Sequence, residues 1–251
     1  MECQIEEQTI RINPRDRNAL EQNIVARLCG GHGFALATLN LDHLVKLRRD
    51  PAFLAAYLKH DMVVADGNPI VWLSRLAGRK VGLVPGADMV VPLARIAADL
   101  DVPLALLGST EPVLTNAAGT LCAQVPGLKI VAQIAPPMAF DPSGAEADEM
   151  ITRLEQSGAR LCLLALGAPK QEIFAARAYT RLPQIGFASF GAGLDFIAGE
   201  QIRAPRWIRA MAMEWLWRAL AQPRRMVPRY ARCAVILPGH ALRALRLRRS
   251  A

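Results

Sequence analysis

This sequence has neither long apolar runs nor paired cysteines. No uninterrupted apolar stretch reaches the ~20 residues that span a bilayer, and the best candidate, Cys233 to Leu237, runs into Pro238-Gly239. The five cysteines are scattered and none forms a CxxC, so a disulfide scaffold or zinc site is disfavoured and a reducing cytoplasm is indicated. The N-terminus is acidic and polar, which is unlike a secretory signal.

Two nucleotide-binding motifs are also missing. The sequence has no GxGxxG after its first strand and no GxxxxGK[ST], so a dinucleotide-linked oxidoreductase and a P-loop enzyme lack their usual support. The histidines show no spacing typical of metal ligands. We therefore predict neither a metal nor another cofactor.

Charge is distributed unevenly along a chain of globular composition. The 251 residues are 52% hydrophobic and 21% charged, which suits one large α/β domain, alone or with an appendage. The net charge is +8, and residues from Arg203 onward carry twelve arginines, no lysine and one acid, Glu214. That end therefore carries +11 and the preceding residues −3. Such asymmetry points to an anionic partner, either nucleic acid or a membrane surface.

Short apolar runs alternate with helical patterns through most of the chain. The runs are bounded by Gly, Asn or Asp and are predicted as strands at 34–39, 61–65, 102–107, 128–133, 160–166 and 185–190. The predicted helices are 15–29, 42–59, 87–99, 111–124, 145–156 and 169–180. We therefore predict a Rossmann-like α/β fold, a parallel sheet with helices on both faces.

The character of the sequence changes after Gly199. A helix rich in Trp and Arg is predicted from Trp207 to Leu220, followed by Pro-Arg segments and a final Arg-Leu stretch. We predict a catalytic body at 1–199 and a basic helical appendage at 200–251. Aromatic rings beside arginines suit a membrane interface, although the Trp side chains can instead dock on the body.

Polar clusters follow five of the predicted strands, at the edge where ligands bind in open α/β sheets. They begin at Thr38, Asp66, Gly108, Gly167 and Gly191. A carboxylate such as Asp66, followed by Gly67, can project into a cleft as a catalytic group, or it can cap the helix that starts at Pro69. The glycines at 108 and 167 can bring backbone N–H groups to a diphosphate, or can simply mark helix-start turns. Gln171 and Glu172 follow Pro169 and can serve the site; alternatively, Gln171 is solvated and Glu172 complements the helix dipole.

Together these clusters resemble the WecG/TagA/CpsF glycosyltransferases of bacterial surface-polysaccharide and teichoic-acid assembly. The matching stretches keep the family's order over roughly 38–229, and the Pro-Lys-Gln-Glu and Glu-Trp-Leu-x-Arg signatures are the most specific. They are Thr38-Leu-Asn-Leu-Asp-His43, Val64-Ala-Asp-Gly-Asn-Pro69, Pro85-Gly-Ala-Asp88, Leu106-Leu-Gly108, Leu166-Gly-Ala-Pro-Lys-Gln-Glu172, Gly191-Ala-Gly-Leu-Asp-Phe-Ile-Ala-Gly199, Arg203-Ala-Pro-Arg-Trp207, Glu214-Trp-Leu-Trp-Arg218 and Pro223-Arg-Arg225.

The resemblance implies an inverting, metal-independent transferase with no cofactor. Its donor would be a UDP-sugar and its acceptor a sugar on a polyprenyl diphosphate, at the cytoplasmic face of the plasma membrane. Asp66 falls on the position proposed as the general base. The substrate-binding residues that we predict from the matched stretches are Thr38, Asn40, Asn68, Gly108, Gln171, Gly191, Asp195, Arg203, Arg218 and Arg225.

Two positions depart from the family pattern. Leu83 stands where the family often has an arginine, so either Arg79 or Lys80 substitutes or the donor differs. Pro228 stands at another frequent arginine position, where Arg229 is the nearest replacement. Rival readings are a nucleic-acid-binding protein, an NAD-linked enzyme and a noncatalytic assembly partner. We expect no nucleic acid, and the sequence leaves the oligomeric state open, a homo-oligomer included.

Overall fold

The computed structural model describes residues 2–5 and 8–249 and is built around a six-stranded parallel sheet. The strands are β1 (Glu2–Ile5), β2 (Gln8–Arg11), β3 (Phe34–Leu39), β4 (Met62–Ala65), β5 (Leu104–Gly108), β6 (Ile130–Ile134), β7 (Leu161–Ala165) and β8 (Gly186–Ser189). The helices are α1 (Arg17–Cys29), α2 (Leu41–Leu47), α3 (Pro51–Leu58), α4 (Asn68–Leu76), α5 (Gly86–Asp99), α6 (Glu111–Gln124), α7 (Ala145–Gln156), α8 (Lys170–Arg181), α9 (Gly193–Ile197), α10 (Arg206–Ala210), α11 (Glu214–Ala221) and α12 (Pro223–Arg249).

The strand order across the sheet is β4-β3-β8-β7-β5-β6, and every neighbouring pair is parallel. Each predicted apolar run overlaps one of these strands, and the predicted Rossmann-like α/β fold is confirmed. β1 and β2 form a separate antiparallel hairpin that the sequence did not predict.

Helices cover both faces of the sheet, which explains the unbroken apolar character of its strands. Alternate residues point to opposite faces, so Leu106 belongs to the core that includes α1, α5 and α6, whereas Leu107 belongs to the core that includes α7 and α8. The β3 and β4 end of that second face is covered by α2 and α3. Each fully buried Leu, Ile or Phe contributes about 1.5–3 kcal/mol relative to exposure.

Two predicted helices are each two helices in the structure. The predicted 42–59 helix ends after Leu47 and restarts as α3, because Asp50 accepts a hydrogen bond from the Phe53 N–H at 2.9 Å and Pro51 occupies the first helical position. The predicted 207–220 helix divides into α10 and α11, since the backbone between them takes a positive φ at Ala212.

The long helix α12 packs along α2 and α4. Cys233 joins the core under α2, and Ala244 packs against Leu73 and Ala77 of α4. Within residues 2–5 and 8–249, no helix has both the length and the apolarity to cross a membrane.

Candidate active site

The carboxyl ends of the strands form a crevice at one edge of the sheet. The chain leaves β3 into α2 on one face, but it leaves the adjacent β8 into α9, which packs with α5 and α6 on the other. Neighbouring strands whose connections diverge in this way leave an opening between them, the usual ligand position in this architecture.

Asp66 lies at this edge, immediately after β4. Its backbone N–H donates to the Leu39 carbonyl at 2.8 Å. Gly67 then takes a φ of +114°, a conformation that favours glycine, and it is the N-cap residue of α4. Because α4 has no side-chain cap, Asp66 does not have the helix-capping role that the sequence allowed.

The surroundings of Asp66 make its carboxylate more basic than usual. Burial, followed by the negative charge of Glu214, raises the pKa of Asp66 from 3.8 to about 6. Arg218, a hydrogen bond from Asn40, and Arg229 act in the opposite direction. A carboxylate with a pKa near the working pH is suited to general-base catalysis.

Asn40 is held in one orientation beside Asp66. As the N-cap of α2, its Oδ1 accepts the His43 N–H at 3.0 Å, which leaves its Nδ2 to donate to Asp66. Thr38 is buried, and its Oγ1 donates to the Ser189 carbonyl at 3.4 Å. The structure therefore brings Asn40 to Asp66 and turns Thr38 toward β8.

His43 is a structural residue in this arrangement. The Tyr57 hydroxyl donates to the Thr38 carbonyl at 3.1 Å, and the His43 Nδ1 lies 2.8 Å from the same hydroxyl. Because that hydroxyl has a single proton, His43 Nδ1 is the donor to Tyr57. Burial lowers the pKa of His43 to about 3, so the ring is neutral near pH 7.

A second cluster joins β5 to α9. Gly108 has a φ of +122°, and a side chain there would meet the Ala165 carbonyl carbon at 2.4 Å. The Ser109 hydroxyl donates to Asp195 Oδ1 at 2.9 Å, and Gln201 donates to Asp195 Oδ2 at the same distance. Asp195 is therefore engaged by the protein at both oxygens.

The backbone after Gly108 offers fewer donors than the sequence suggested. The Ser109 N–H already donates to the Ala165 carbonyl at 3.0 Å. The donors left at this position are those of the first turn of α6, where the acidic Glu111 also lies. This turn is consequently a poor cradle for a diphosphate.

Gln171 and Glu172 are both buried, so the solvated position that the sequence allowed for Gln171 is not observed. Gln171 Nε2 donates to Glu172 Oε1 at 2.8 Å, and the Gly191 N–H donates to Gln171 Oε1 at 2.9 Å. Burial raises the pKa of Glu172 from 4.5 to about 7. The predicted residues Gln171 and Gly191 are thus brought together, and Glu172, which ends the Pro-Lys-Gln-Glu signature but was not among the predicted substrate-binding residues, lies in contact with Gln171.

The helical C-terminal segment brings charged side chains to the same edge. Arg203 donates to Asp88 of α5 and lies 3.9 Å from Glu214 Oε1. Arg218 and Arg229 are close enough to lower the pKa of Asp66, and Arg229 also pairs with Asp42 at 3.1 Å. Arg225, by contrast, is exposed on α12.

A cavity of about 260 Å³ lies between the segment after α9 and helix α11. Its polar lining includes Arg203, Glu214 and Arg218, and its apolar lining includes Ile202 and Trp217. The Trp217 Nε1 donates to the Ile202 carbonyl at 3.4 Å, which closes one side. Cations and an aromatic wall in one opening can accept an anionic group attached to an apolar one.

The family model for glycosyl transferases of the WecG/TagA/CpsF type matches residues 8–251. The chain belongs to this family. It is therefore a glycosyltransferase by family, as its motifs predicted, and the match favours this reading over the oxidoreductase and nucleic-acid-binding alternatives.

The departures from the WecG/TagA/CpsF pattern have a defined place. Val84 donates its N–H to the Ala65 carbonyl at 2.8 Å, so exposed Leu83 lies beside the end of β4 and close to Asp66. Arg79 and Lys80 are exposed in the turn that follows α4. Asn68 begins α4 two residues after Asp66.

Among residues 2–5 and 8–249, no three His, Cys, Asp or Glu side chains come together as a metal-ligand set would require.

Proposed function

We propose that this glycosyltransferase moves a sugar, with inversion, from a UDP-sugar to a sugar on a polyprenyl diphosphate. The product would enter a bacterial surface polysaccharide or a teichoic-acid-type polymer. The observation that carries the proposal is Asp66, a carboxylate of raised pKa at the sheet edge with Arg218 and Arg229 nearby.

Asp66 is the general base in this proposal. A single displacement requires the acceptor hydroxyl to lose its proton as it attacks the anomeric carbon, and a carboxylate of pKa about 6 can take that proton near neutral pH. Asn40 orients the carboxylate through its hydrogen bond. Thr38 and Asn68 are assigned to positioning the substrates, whereas Gln171, whose amide is engaged by the protein at both ends, is assigned to supporting the loop at Gly191.

The departing diphosphate is assigned to arginines, without a metal ion. Arg218 is the first candidate, because it lines the cavity and its charge lowers the pKa of Asp66. Arg203 shares the cavity but is already paired with Asp88, and Arg225 would need to move inward from its exposed position. Arginine forks on a diphosphate form charge-assisted hydrogen bonds of the kind that stabilise developing negative charge.

The segment 200–251 is proposed as the membrane-facing appendage of a body at 1–199. Val235 is 80% exposed and Leu242 is 60% exposed, seven residues apart on the face of α12 opposite buried Cys233 and His240. An exposed apolar stripe bordered by arginines suits the interface of an anionic leaflet. This placement puts the site beside a lipid-linked acceptor at the inner face of the plasma membrane.

A donor screen with an Asp66→Asn variant tests the proposal. UDP release is measured for a panel of UDP-sugars with a lipid-diphosphate-sugar acceptor. We expect one donor to be used, and we expect Asp66→Asn to bind it normally while kcat falls at least about 10²-fold, the lower range for loss of a general base.

Asp99→Asn is the matched control, because Asp99 is exposed on α5 and away from the sheet edge. It makes the same change of charge and is expected to retain full activity. Near-normal turnover by Asp66→Asn would refute the base assignment, and the absence of any active UDP-sugar would refute the proposed donor class.

A further inference from the structure

Glu172 is a buried carboxyl group that the proposed mechanism does not use. Its side chain is 0% exposed, and its Oε2 has no hydrogen-bond partner among the described residues. Lys46 is the cation whose charge lowers the pKa of Glu172. The Lys46 Nζ, however, pairs with Asp42 at 3.1 Å and donates to the Ala168 carbonyl at 3.0 Å. Burying a carboxyl without its own cation costs free energy, so its presence here requires an explanation.

The hydrogen bond that Glu172 accepts from Gln171 helps to set the orientation of the Gln171 amide. Gln171 offers Nε2 to Glu172 and Oε1 to the Gly191 N–H. If the amide were turned over, its NH₂ group would face the Gly191 N–H and its oxygen would face a carboxyl oxygen. Glu172 and Gly191 together therefore permit only one orientation.

Gln171 in turn joins the ends of two strands. Its backbone N–H donates to the Gly167 carbonyl at 3.1 Å after β7, while its side chain holds Gly191 after β8. Gly193, where the loop 191–193 meets α9, is closely packed, because a side chain there would meet Val90 Cγ2 at 2.8 Å. Gln171 is itself only 2% exposed, which suits an internal support better than a ligand contact.

We propose that Glu172 is a positioning residue that acts through Gln171 on the loop 191–193 at the edge of the active site. The carboxyl oxygen fixes the amide, the amide fixes the Gly191 N–H, and the loop keeps one arrangement toward the substrate. A displacement of about 1 Å in such a support can cost about 10²-fold in rate. The inference rests on the proposed transferase function only for its effect on turnover.

A purely structural carboxyl and a positioning carboxyl predict different results for Glu172→Leu. Leucine removes the buried polar oxygens at similar size but leaves the Gln171 Nε2 without an acceptor, so some loss of stability is expected under either role. A positioning role predicts, in addition, a loss of activity in protein that remains folded. Glu172→Gln keeps an oxygen that can accept from Gln171 Nε2, so it should rescue the function that leucine loses.

The experiment combines amide hydrogen exchange, thermal unfolding and steady-state kinetics on the full chain. For Glu172→Leu we expect faster exchange at Gly191 by about tenfold, the scale of one lost hydrogen bond, with a Tm that stays well above the assay temperature. We expect kcat to fall at least about tenfold with little change in KM, because positioning is lost rather than donor binding. Glu172→Gln should stay within about threefold of the unaltered protein in both exchange and kcat.

A double-mutant cycle with Gln171→Leu then tests whether Glu172 acts through Gln171. The double variant should be no slower than Gln171→Leu alone, because both changes break the same chain of contacts. Unchanged Gly191 exchange in Glu172→Leu, or additive losses in the cycle, would overturn the proposal. If Glu172→Leu does not fold, Gln171→Leu must accelerate Gly191 exchange while Glu172→Gln preserves it, and any other result overturns the proposal as well. If the unaltered protein transfers no sugar, the proposed function fails, but the exchange result still decides the role of Glu172.

Discussion

At the scale of single residues, the basicity of Asp66 depends on side chains that reach it from the C-terminal helices. Glu214 raises its pKa, whereas Arg218 and Arg229 lower it. Asn40, which belongs to the body, orients the carboxylate and favours its charged form. The group proposed to take the proton is thus adjusted by parts of the chain more than a hundred residues away.

The pH profile of the transferase should show the raised pKa of Asp66. The base must be deprotonated to work, so kcat/KM is expected to fall about tenfold per pH unit below an apparent pKa of about 6. With the ordinary aspartate pKa of 3.8, the fall would begin only at that lower pH. Glu214→Gln removes a negative neighbour, which makes the charged form of Asp66 easier to reach, so the acid limb should move to lower pH.

Arg218→Met should move the same limb to higher pH, because it removes a positive neighbour of Asp66. The measurement is kcat/KM between pH 4.5 and pH 8.5 with a donor that is saturable in each variant. The absence of an acid limb above pH 4.5 in the unaltered protein, or a shift of both variants in the same direction, would contradict the role assigned to Asp66.

At the scale of secondary-structure elements, α12 carries two opposite stripes. Met226, Cys233 and His240 are spaced by seven residues on the face that packs on the body, and Val235 and Leu242 repeat the same spacing on the outer face. The protein itself does not cover Val235 and Leu242, and exposing apolar side chains to water is unfavourable. The exposed stripe therefore favours the proposed membrane contact.

Liposome binding provides the test of α12. Val235→Glu with Leu242→Glu removes two apolar anchors and adds two negative charges, each opposed by about 1 kcal/mol near an anionic leaflet. We expect co-sedimentation with phosphatidylglycerol-rich vesicles to fall at least about tenfold, while phosphatidylcholine vesicles bind weakly throughout.

The matched control is Leu58→Glu with Val131→Glu, since both residues are exposed, 42% and 43%, and lie outside the C-terminal helices. This pair makes the same change in charge and apolarity on the body. Equal binding by the two double variants would show that the outer stripe of α12 does not meet the membrane.

At the scale of the whole molecule, an ion-pair cluster connects the body to the segment that begins at Arg203. Asp88 in the first turn of α5 accepts from Arg203 and lies 3.4 Å from Arg209 of α10. Arg203 also stacks over the Phe196 ring at 5.9 Å. These contacts hold the start of the C-terminal helices against the edge of the sheet where Asp66 lies.

Asp88→Asn is expected to loosen this attachment. A partly exposed ion pair contributes about 1 kcal/mol, so the ratio of attached to detached segment should fall about fivefold. Limited trypsin cleavage between residues 203 and 225 should accelerate by a similar factor, and kcat/KM should fall with it.

Asp148→Asn serves as the control, because it removes comparable ion pairs with Arg177 at 2.8 Å and Arg181 at 2.7 Å, between α7 and α8 on the face of the sheet opposite to α5. It should leave both measurements unchanged. Unchanged cleavage in Asp88→Asn would show that Asp88 does not hold the segment in place.

The sequence by itself determined the alternation of strands and helices, because buried parallel strands must be short apolar runs and their ends must carry Gly, Asn or Asp. It also determined which polar clusters share an edge, since all parallel strands end on the same side. The family motifs then assigned Asp66, Asn40 and Arg218 to one site. The break at Asp50-Pro51 could have been read from the sequence, but the length of the helical pattern obscured it.

Only the tertiary structure decided what each polar side chain contacts. Gln171 and Glu172 follow Pro169 like any first turn of a helix, and nothing local shows that α8 packs them beneath Gly191. Arg203 pairs with Asp88 across 115 positions of sequence. Burial and long-range charge set the pKa of a carboxyl group and its availability to a ligand, and both depend on neighbours that only folding brings together.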